Sequence, residues 1–318
     1  MATVTTTDIT GIQGSDTFPV NVNDTLGLIE TIASQRITGL KSANTLDDAF
    51  FDYEVENGKV VEEAVIAMAK AQAYDKDSYD RSPKDPTLYA KYFNNYESKQ
   101  FHTTVRRDDI RAIIANKGAG VEETVGNIID SLTQGEGAYD FEQKRNVFFN
   151  GTFYDYSQHL GGKPANMNGV IYAIRDMYNA LKSNNSKFTS YNDVSATPEA
   201  DIRIAVTPKL LNLLDVTKLA NIFNLSKVEL FGKMVVIDVD DTEDNTNWYK
   251  VWAYDRKALG RATRIYDFTD EKIARGRFYN YYLTTERAYF HNTLFKSTVL
   301  DCADACEAEF GQIVTANA

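Results

Sequence analysis

The chain has 318 residues, 43% of them hydrophobic and 25% charged, which is enough for one elaborate domain or two ordinary ones. Its formal net charge of −11 argues against a dedicated nucleic-acid binder, because such proteins replace condensed counterions with Lys and Arg. Two cysteines exclude a disulfide framework, and the absence of a signal-like N-terminus or a membrane-spanning apolar run predicts a soluble protein made in the cytoplasm.

The first third of the chain changes character twice. Residues 1–26 are polar and have no helical period, which predicts a flexible arm. Residues 27–74 are predicted to be helical in parts. One face of such a helix would carry Val61, Val65, Met68 and Gln72. Residues 75–106 are rich in Tyr, Asp and Lys and end in an alternating stretch, so we expect an extended hairpin or long loop that closes with a strand.

Two helices are predicted in the middle of the chain. The first lies within residues 107–149, where Gly135 and Gly137 could kink or end it. Its apolar stripe consists of Val121, Val125, Ile128, Ile129 and Leu132. The second covers residues 165–183. Its apolar face carries Met167, Val170, Ile171, Ile174, Met177, Tyr178 and Leu181.

Strand-forming residues dominate the second half. The segment "DIRIAVTPKLL" predicts a buried strand that leads into a helix. The segments "VVIDV" and "WYKVWAYD" (248–255) predict two strands that form a hairpin through the acidic loop "DDTEDNTN". The last third is dense in β-forming residues. Because strands and helices do not alternate, the fold class is predicted to be α+β rather than a doubly wound sheet.

The acidic segment "MVVIDVDDTED" (234–244) resembles the signature of the haloacid-dehalogenase phosphatases. That resemblance implies a nucleophile at Asp238 and a proton-transfer group at Asp240, with Mg²⁺ beside them. The chemistry also needs a βαβ body and further acidic ligands downstream, whereas a second strand follows here at once. A solvated acidic turn is therefore the favoured interpretation, and a Mg²⁺-dependent phosphohydrolase is kept as the alternative.

No other group of residues predicts a catalytic, cofactor or metal site. Cys302 and Cys306 have the i, i+4 spacing of half a metal site, but a second pair is missing and core-facing thiols are favoured. His159 is a lone candidate base with no acid in view, so an exposed histidine is the better interpretation. The abundant tyrosines could form a stacking platform for single strands, although core and interface roles are favoured in an acidic chain.

The order of several segments resembles the major capsid proteins of tailed phages that infect Gram-positive bacteria. "NGKVVEEAVIAMAKAQAYD" resembles their helix ahead of a long loop, and "YAKYFNNYESKQFHTTVRRDDIRAII" resembles the loop that returns to a spine helix, here "GVEETVGNIIDSLTQG". "LANIFN" (219–224) is similar to a step in their axial domain, and "RGRFYNYYL" is similar to their closing strands. The resemblance covers residues 45–300.

This resemblance implies a Hong Kong 97-type capsid fold. The implied parts are an N-terminal arm (1–45), a helix and extended loop (46–106), a peripheral domain with the spine helix and closing strands (107–150 and 248–300), an axial domain (151–247) and a C-terminal tail (301–318). The implied function is a virion structural protein, the major capsid protein of the phage head, which self-assembles into an icosahedral shell around double-stranded DNA. Its implied partners are further copies of itself in pentamers and hexamers, scaffolding, portal and other head proteins, and enclosed DNA without specific binding; no membrane is involved.

Two further alternatives stay open. An encapsulin-like nanocompartment shell would have the same fold, with a cargo enzyme in place of DNA. A decoration or tail component of the virion is the other, and its copy number in particles would distinguish it from the main shell protein.

Overall fold

The computed structural model describes residues 46–69, 71, 85–106, 121–191, 193–239, 247–273, 275–276 and 278–316. The strands are β1 (Phe51–Glu54), β2 (Val61–Ile66), β3 (Leu88–Phe93), β4 (Glu97–Arg106), β5 (Tyr154–Asp155), β6 (Ile202–Val206), β7 (Met234–Val236), β8 (Lys250–Asp255), β9 (Leu259–Ile273), β10 (Phe278–His291) and β11 (Ser297–Asp301). The helices are α1 (Val121–Asn150), α2 (Ser157–Leu160), α3 (Met167–Lys182), α4 (Pro208–Leu213), α5 (Val216–Ile222), α6 (Lys227–Lys233) and α7 (Ala303–Ala316). This is an α+β fold, as predicted. Within these residues, no helix is both long and apolar enough to span a bilayer.

The chain forms two compact units. Among the described residues, the smaller unit contains residues 96–142 and 263–287, and the larger one contains residues 46–95, 143–262 and 288–316. The sheets have the strand orders β1-β9-β10-β4, β5-β11-β8-β6-β7 and β2-β3.

In the smaller unit, a β-ribbon packs on the long helix α1. Strand β4 pairs antiparallel with β10, from Phe278 opposite Arg106 to Arg287 opposite Glu97. The ring of Phe101 on β4 lies 6.1 Å from that of Tyr139 on α1. Helix α1 runs for 30 residues without a break, so the two glycines that were candidates for its end lie inside it. Of the predicted apolar stripe, only Leu132 has a described side chain, and it is buried.

A buried ion group also joins β10 to α1 within the smaller unit. The guanidinium Nη1 of Arg287 donates to the carboxylate of Glu136 and lies 3.1 Å from Oδ1 of Asp140. The side chains of these two acids are only 3% and 1% exposed. Buried carboxylates need a counter-charge and hydrogen bonds, and Arg287 supplies both.

The core of the larger unit lies between the five-stranded sheet and α3. Strand β6 lies inside the sheet, parallel to the edge strand β7 on one side and antiparallel to β8, the middle strand, on the other. As its 3.6-residue period predicts, α3 turns one apolar face inward, with Ile174 and Met177 fully buried against the sheet. The side chain of Asn166 caps the helix by accepting from the Gly169 N–H at 2.8 Å.

The end of α1 that belongs to the larger unit carries an aromatic cluster. The ring of Phe148 meets Trp252 and Tyr254 of β8 edge-on, with centroids 5.6 Å apart in both cases. Edge-to-face contacts of this kind stabilise aromatic clusters beyond simple burial. The cluster places this end of α1 on the sheet without a continuous aliphatic stripe.

The prediction of helix in residues 27–74, and with it the resemblance to a helix ahead of the long loop, is wrong for the described part. Residues 51–54 and 61–66 are strands, and within residues 46–69 only Asp47–Ala49 forms a turn of 3-10 helix. Residues 61–66 alternate between inward and outward positions because they pair with β3. Val61 and Val65 therefore share a face of a strand, which suits β-branched residues better than a helix.

The predicted hairpin between "VVIDV" and "WYKVWAYD" is also wrong. Both segments contain strands, β7 and β8, but β6 lies between them and pairs with each. The partner of β7 is thus a strand about 30 residues earlier in the chain, at Ile204–Val206. Local alternation indicates that a segment is a strand, whereas its neighbour in the sheet depends on contacts that are distant in sequence.

Candidate assembly surface

The hairpin of β2 and β3 presents apolar side chains to solvent. Ile66 stands opposite Leu88 on its outward face, and the two are 62% and 59% exposed. Ala64 and Ala90 form the next pair, and Tyr92, 64% exposed, donates to Glu62 at 2.9 Å. We call this set the outer hairpin face. Contiguous exposed apolar side chains typically mark a surface that binds another protein.

A second exposed aromatic lies beside a groove in the larger unit. Tyr172 on α3 is 64% exposed and borders a groove of about 570 Å³. Leu160, Lys163 and Arg175 also line it, and Lys163 Nζ lies 2.6 Å from Asp301 Oδ2. The groove is mixed in polarity and open, a composition more typical of the rim of an interface than of its core.

The described residues do not bring together the two aspartates of the phosphatase alternative, Asp238 and Asp240. Asp238 is exposed and borders a cavity of about 420 Å³ together with Arg145, Lys209 and Trp248. Asp240 lies outside the described residues. Across the described ranges, no group of three or more His, Cys, Asp or Glu side chains is placed to hold a metal ion.

The two cysteines lie in the core. Cys302 and Cys306 are fully buried, reduced and part of the cluster beneath α3. Burial raises the pKa of both thiols, that of Cys306 to about 12. Because the thiolate is the reactive and metal-binding form, this environment suits a structural role.

The histidines have separate environments. His159 is exposed, as predicted, and its contacts are with the Nζ of Lys187, 3.4 Å from its Nδ1, and with the rings of Tyr156 and Phe188. His291 is more deeply placed, with its ring stacked on Phe153 at 4.2 Å and its Nε2 2.8 Å from Ser297 Oγ. Burial lowers the pKa of His291 to about 4, so this imidazole is neutral at pH 7.

Sequence reasoning missed the outer hairpin face. "VEEAVI" has no clean strand alternation, and its helical apolar period continues to Met68 and Gln72, which favours the helix. Even the correct assignment would not have shown which face is open to solvent. A usable signal was the presence of apolar residues on both faces of the two strands, since an ordinary surface hairpin has one polar face.

Solved structures share this fold. The capsid structure of Staphylococcus phage Andhra aligns with a TM-score of 0.60 and 12% identity, covering 82% of this chain and 85% of that one. A structure of head fiber and inner core protein gp22 of native bacteriophage P68 gives 0.57 and 13%, with 83% and 86% covered. The capsid structure of the Cyanophage P-SCSP1u gives 0.51 and 10%, with 82% and 89% covered. The fold is therefore the Hong Kong 97-type fold of phage capsids.

The sequence itself assigns the family. Residues 1–299 match the model of the Phi29-like phage major capsid protein family, and the chain belongs to that family. Among curated proteins, no sequence matches. The chain is a structural, shell-forming protein of a phage head that assembles with copies of itself.

Proposed function

We propose that copies of this chain form a closed icosahedral head of pentamers and hexamers around packaged double-stranded DNA. The observation that carries the proposal is the outer hairpin face, where Ile66, Leu88 and Tyr92 are about three-fifths exposed. Covering this face with a second copy removes apolar area from water, which drives most protein association. Contacts of the head-to-tail type form closed rings when the rotation from one copy to the next closes on itself.

We also propose the domain layout implied by the resemblance: an arm at 1–45, an extended loop within 46–106, a peripheral domain at 107–150 and 248–300, an axial domain at 151–247 and a tail at 301–318. The packing of β10 on α1 supports a peripheral domain, and the packing of α3 with β6 supports an axial domain. Strand β8 at 250–255 pairs with β6, so the compact unit that contains the axial segment also includes part of 248–300. The hairpin is the described part of the extended loop. Arm and loop would add interface area without enlarging the core of a subunit.

The charge of the chain supports a wall that encloses DNA without binding it tightly. With 45 acidic residues against 34 basic ones, the chain as a whole repels phosphate groups, which disfavours tight binding of DNA. Scaffolding, portal and other head proteins are the further partners we propose, with assembly in the cytoplasm of the host bacterium. A nanocompartment with the same fold would contain a cargo enzyme, so the contents of purified particles distinguish the two.

We propose no enzymatic role. Asp238 is exposed, whereas the cations that border the same cavity, Arg145 and Lys209, are partly buried, and the Nζ of Lys209 lies over the ring of Trp248. Particles and unassembled subunit are expected to show no aryl-phosphatase activity with Mg²⁺. Turnover that disappears in Asp238→Asn would establish the phosphohydrolase alternative instead.

Particle formation tests the proposed function. The chain, expressed with and without a scaffold from its own gene neighbourhood, should give closed particles in negative-stain micrographs. The double variant Ile66→Asp, Leu88→Asp should fold, with an unchanged circular dichroism spectrum, but should not assemble. Asn184→Asp, which adds charge at an exposed loop position, is the control. A wild-type chain that stays monomeric at high concentration under both conditions would refute the proposal.

A further inference from the structure

The face of the hairpin opposite the outer hairpin face is occupied by the chain itself. Tyr89, Lys91 and Phe93 alternate along β3 and all point inward. The ring of Tyr89 stacks on Tyr191 at 4.9 Å and 29°, and the ring of Phe93 stacks on Phe290 at 3.9 Å and 11°. Between them, Lys91 Nζ donates to the Thr293 hydroxyl. All of these residues belong to the larger unit.

The platform under Phe93 is the ring of Phe290, and packing holds this ring in place. A Cβ on Gly260 would overlap the ring of Phe290, so the glycine lets this ring lie flat against the backbone of β9. Tyr53 packs on the same ring at 5.8 Å, and its hydroxyl donates to Glu63 Oε1 of β2 at 2.5 Å. Both strands of the hairpin are thereby fastened at its base.

The platform under Tyr89 is the ring of Tyr191, which lies in a loop closed by hydrogen bonds. Backbone bonds between Asn185 and Ser195, at 3.2 and 3.0 Å, close the loop that carries Tyr191. The carboxylate of Asp193 accepts from the Met68 backbone N–H at 2.9 Å, which holds the far end of β2 as well. Ser190 N–H donates to the Thr293 carbonyl at 2.8 Å, so the two platforms are also joined to each other.

We propose that Tyr89, Lys91 and Phe93 are positioning residues for assembly. Their two ring stacks and one hydrogen bond, which we call the clip, hold the hairpin on its own subunit. The clip thereby sets the direction in which the outer hairpin face is presented to a second copy. A two-stranded hairpin is at best marginally stable alone, so its direction depends on what it packs against. The two aromatic stacks lie four residues apart on one strand, which is about 13 Å at the usual rise per residue. Two contacts this far apart fix the orientation of the hairpin, whereas a single contact would let the hairpin rotate about it. This inference rests on the proposed shell function.

Closure of a shell makes the direction matter. Head-to-tail contacts form rings only if the rotation from one copy to the next closes on itself, and otherwise they propagate as open assemblies. A hairpin released from its clip would still carry Ile66 and Leu88 but would present them over a range of angles. The outer hairpin face thus provides the apolar contact between copies, and the clip fixes the angle at which that contact forms.

Truncation of the clip tests this division. Tyr89→Ala and Phe93→Ala are expected to lower the yield of closed, uniform particles at least tenfold and to replace them with open or irregular assemblies. Tyr89→Phe, which keeps the stacked ring, should behave like wild type. Tyr92→Ala, one position away on the outward face, should lower the amount assembled while leaving particle diameter unchanged. Circular dichroism of each unassembled variant controls for folding. Uniform wild-type particles from Tyr89→Ala, or failure of Tyr89→Phe, would overturn the proposal.

A crosslink distinguishes a clip within one subunit from one between subunits. Lys91→Cys combined with Thr293→Cys should be joined by a short bismaleimide in assembled particles and run as a monomer of altered mobility on a denaturing gel. The two single variants are the controls, since Cys302 and Cys306 are buried. A ladder of covalent multimers would show that the hairpin is clipped to a neighbour and would overturn the proposal. If wild type forms no particles at all, the shell function fails, independently of either result.

Discussion

Removal of Arg287 should destabilise the smaller unit far more than removal of a cation from an exposed ion pair. Arg287→Met preserves much of the side-chain volume but leaves Glu136 and Asp140 without their shared cation. Both carboxylates are nearly inaccessible, with side chains 3% and 1% exposed, so water does not replace the lost partner. Breaking a buried pair in this way costs about 3–5 kcal/mol. That corresponds to a fall of about two to four orders of magnitude in the folding equilibrium constant.

Urea unfolding of the unassembled subunit, followed by circular dichroism, measures this cost. Lys163→Met is the matched control, because the ion pair of Lys163 with Asp301 is largely exposed and should contribute about 0–1 kcal/mol. The deficit of Arg287→Met should shrink when Glu136→Gln and Asp140→Asn are added, because the neutral amides need no counter-charge. Equal stability of Arg287→Met and Lys163→Met would refute the assigned role of burial.

Three further predictions concern buried titratable groups of the larger unit. Burial, aided by the charge of Lys91, lowers the pKa of His291 to about 4 from 6.5, so the unfolded chain binds this proton first and stability should fall from pH 6.5 towards 4; His291→Leu should lose that component of the urea midpoint. Burial lowers the pKa of Lys296 to about 8 from 10.5, against an opposing effect of Asp255, so stability should rise above pH 8 by a component absent in Lys296→Met. Burial raises the thiol pKa values of Cys302 and Cys306, so both should react with a disulfide reagent at pH 8 only after urea is added.

Helix α3 and strand β6 were predictable because their signals are local. The apolar residues of α3 repeat with the period of a helix, and the structure places Ile174 and Met177 in the core as expected. The strand at Ile202–Val206 is apolar except for Arg203, and it ends shortly before Pro208, which opens the next helix. In both cases the identity of neighbouring residues suffices to select the backbone conformation.

The errors arose where the local pattern and the long-range pairing favour different structures. "VEEAVI" fits a helical period that continues to Met68 and Gln72, but pairing with β3 selects the strand. The strands at Met234–Val236 and Lys250–Asp255 were correctly expected, yet their pairing through β6 depends on Ile204 and its neighbours, which come earlier in the chain. No local pattern specifies which strand occupies the space between two others.

Composition, charge and the order of segments by themselves determined the class of this protein: an acidic α+β chain that resembles a capsid subunit. The tertiary structure alone decided how the hairpin is used. Tyr89 and Tyr92 are the same residue type three positions apart, but one is stacked on Tyr191 and the other is 64% exposed. Exposure depends on what packs against each face, and the platforms that bury one face of the hairpin come from segments about 100 and 200 residues farther along the chain.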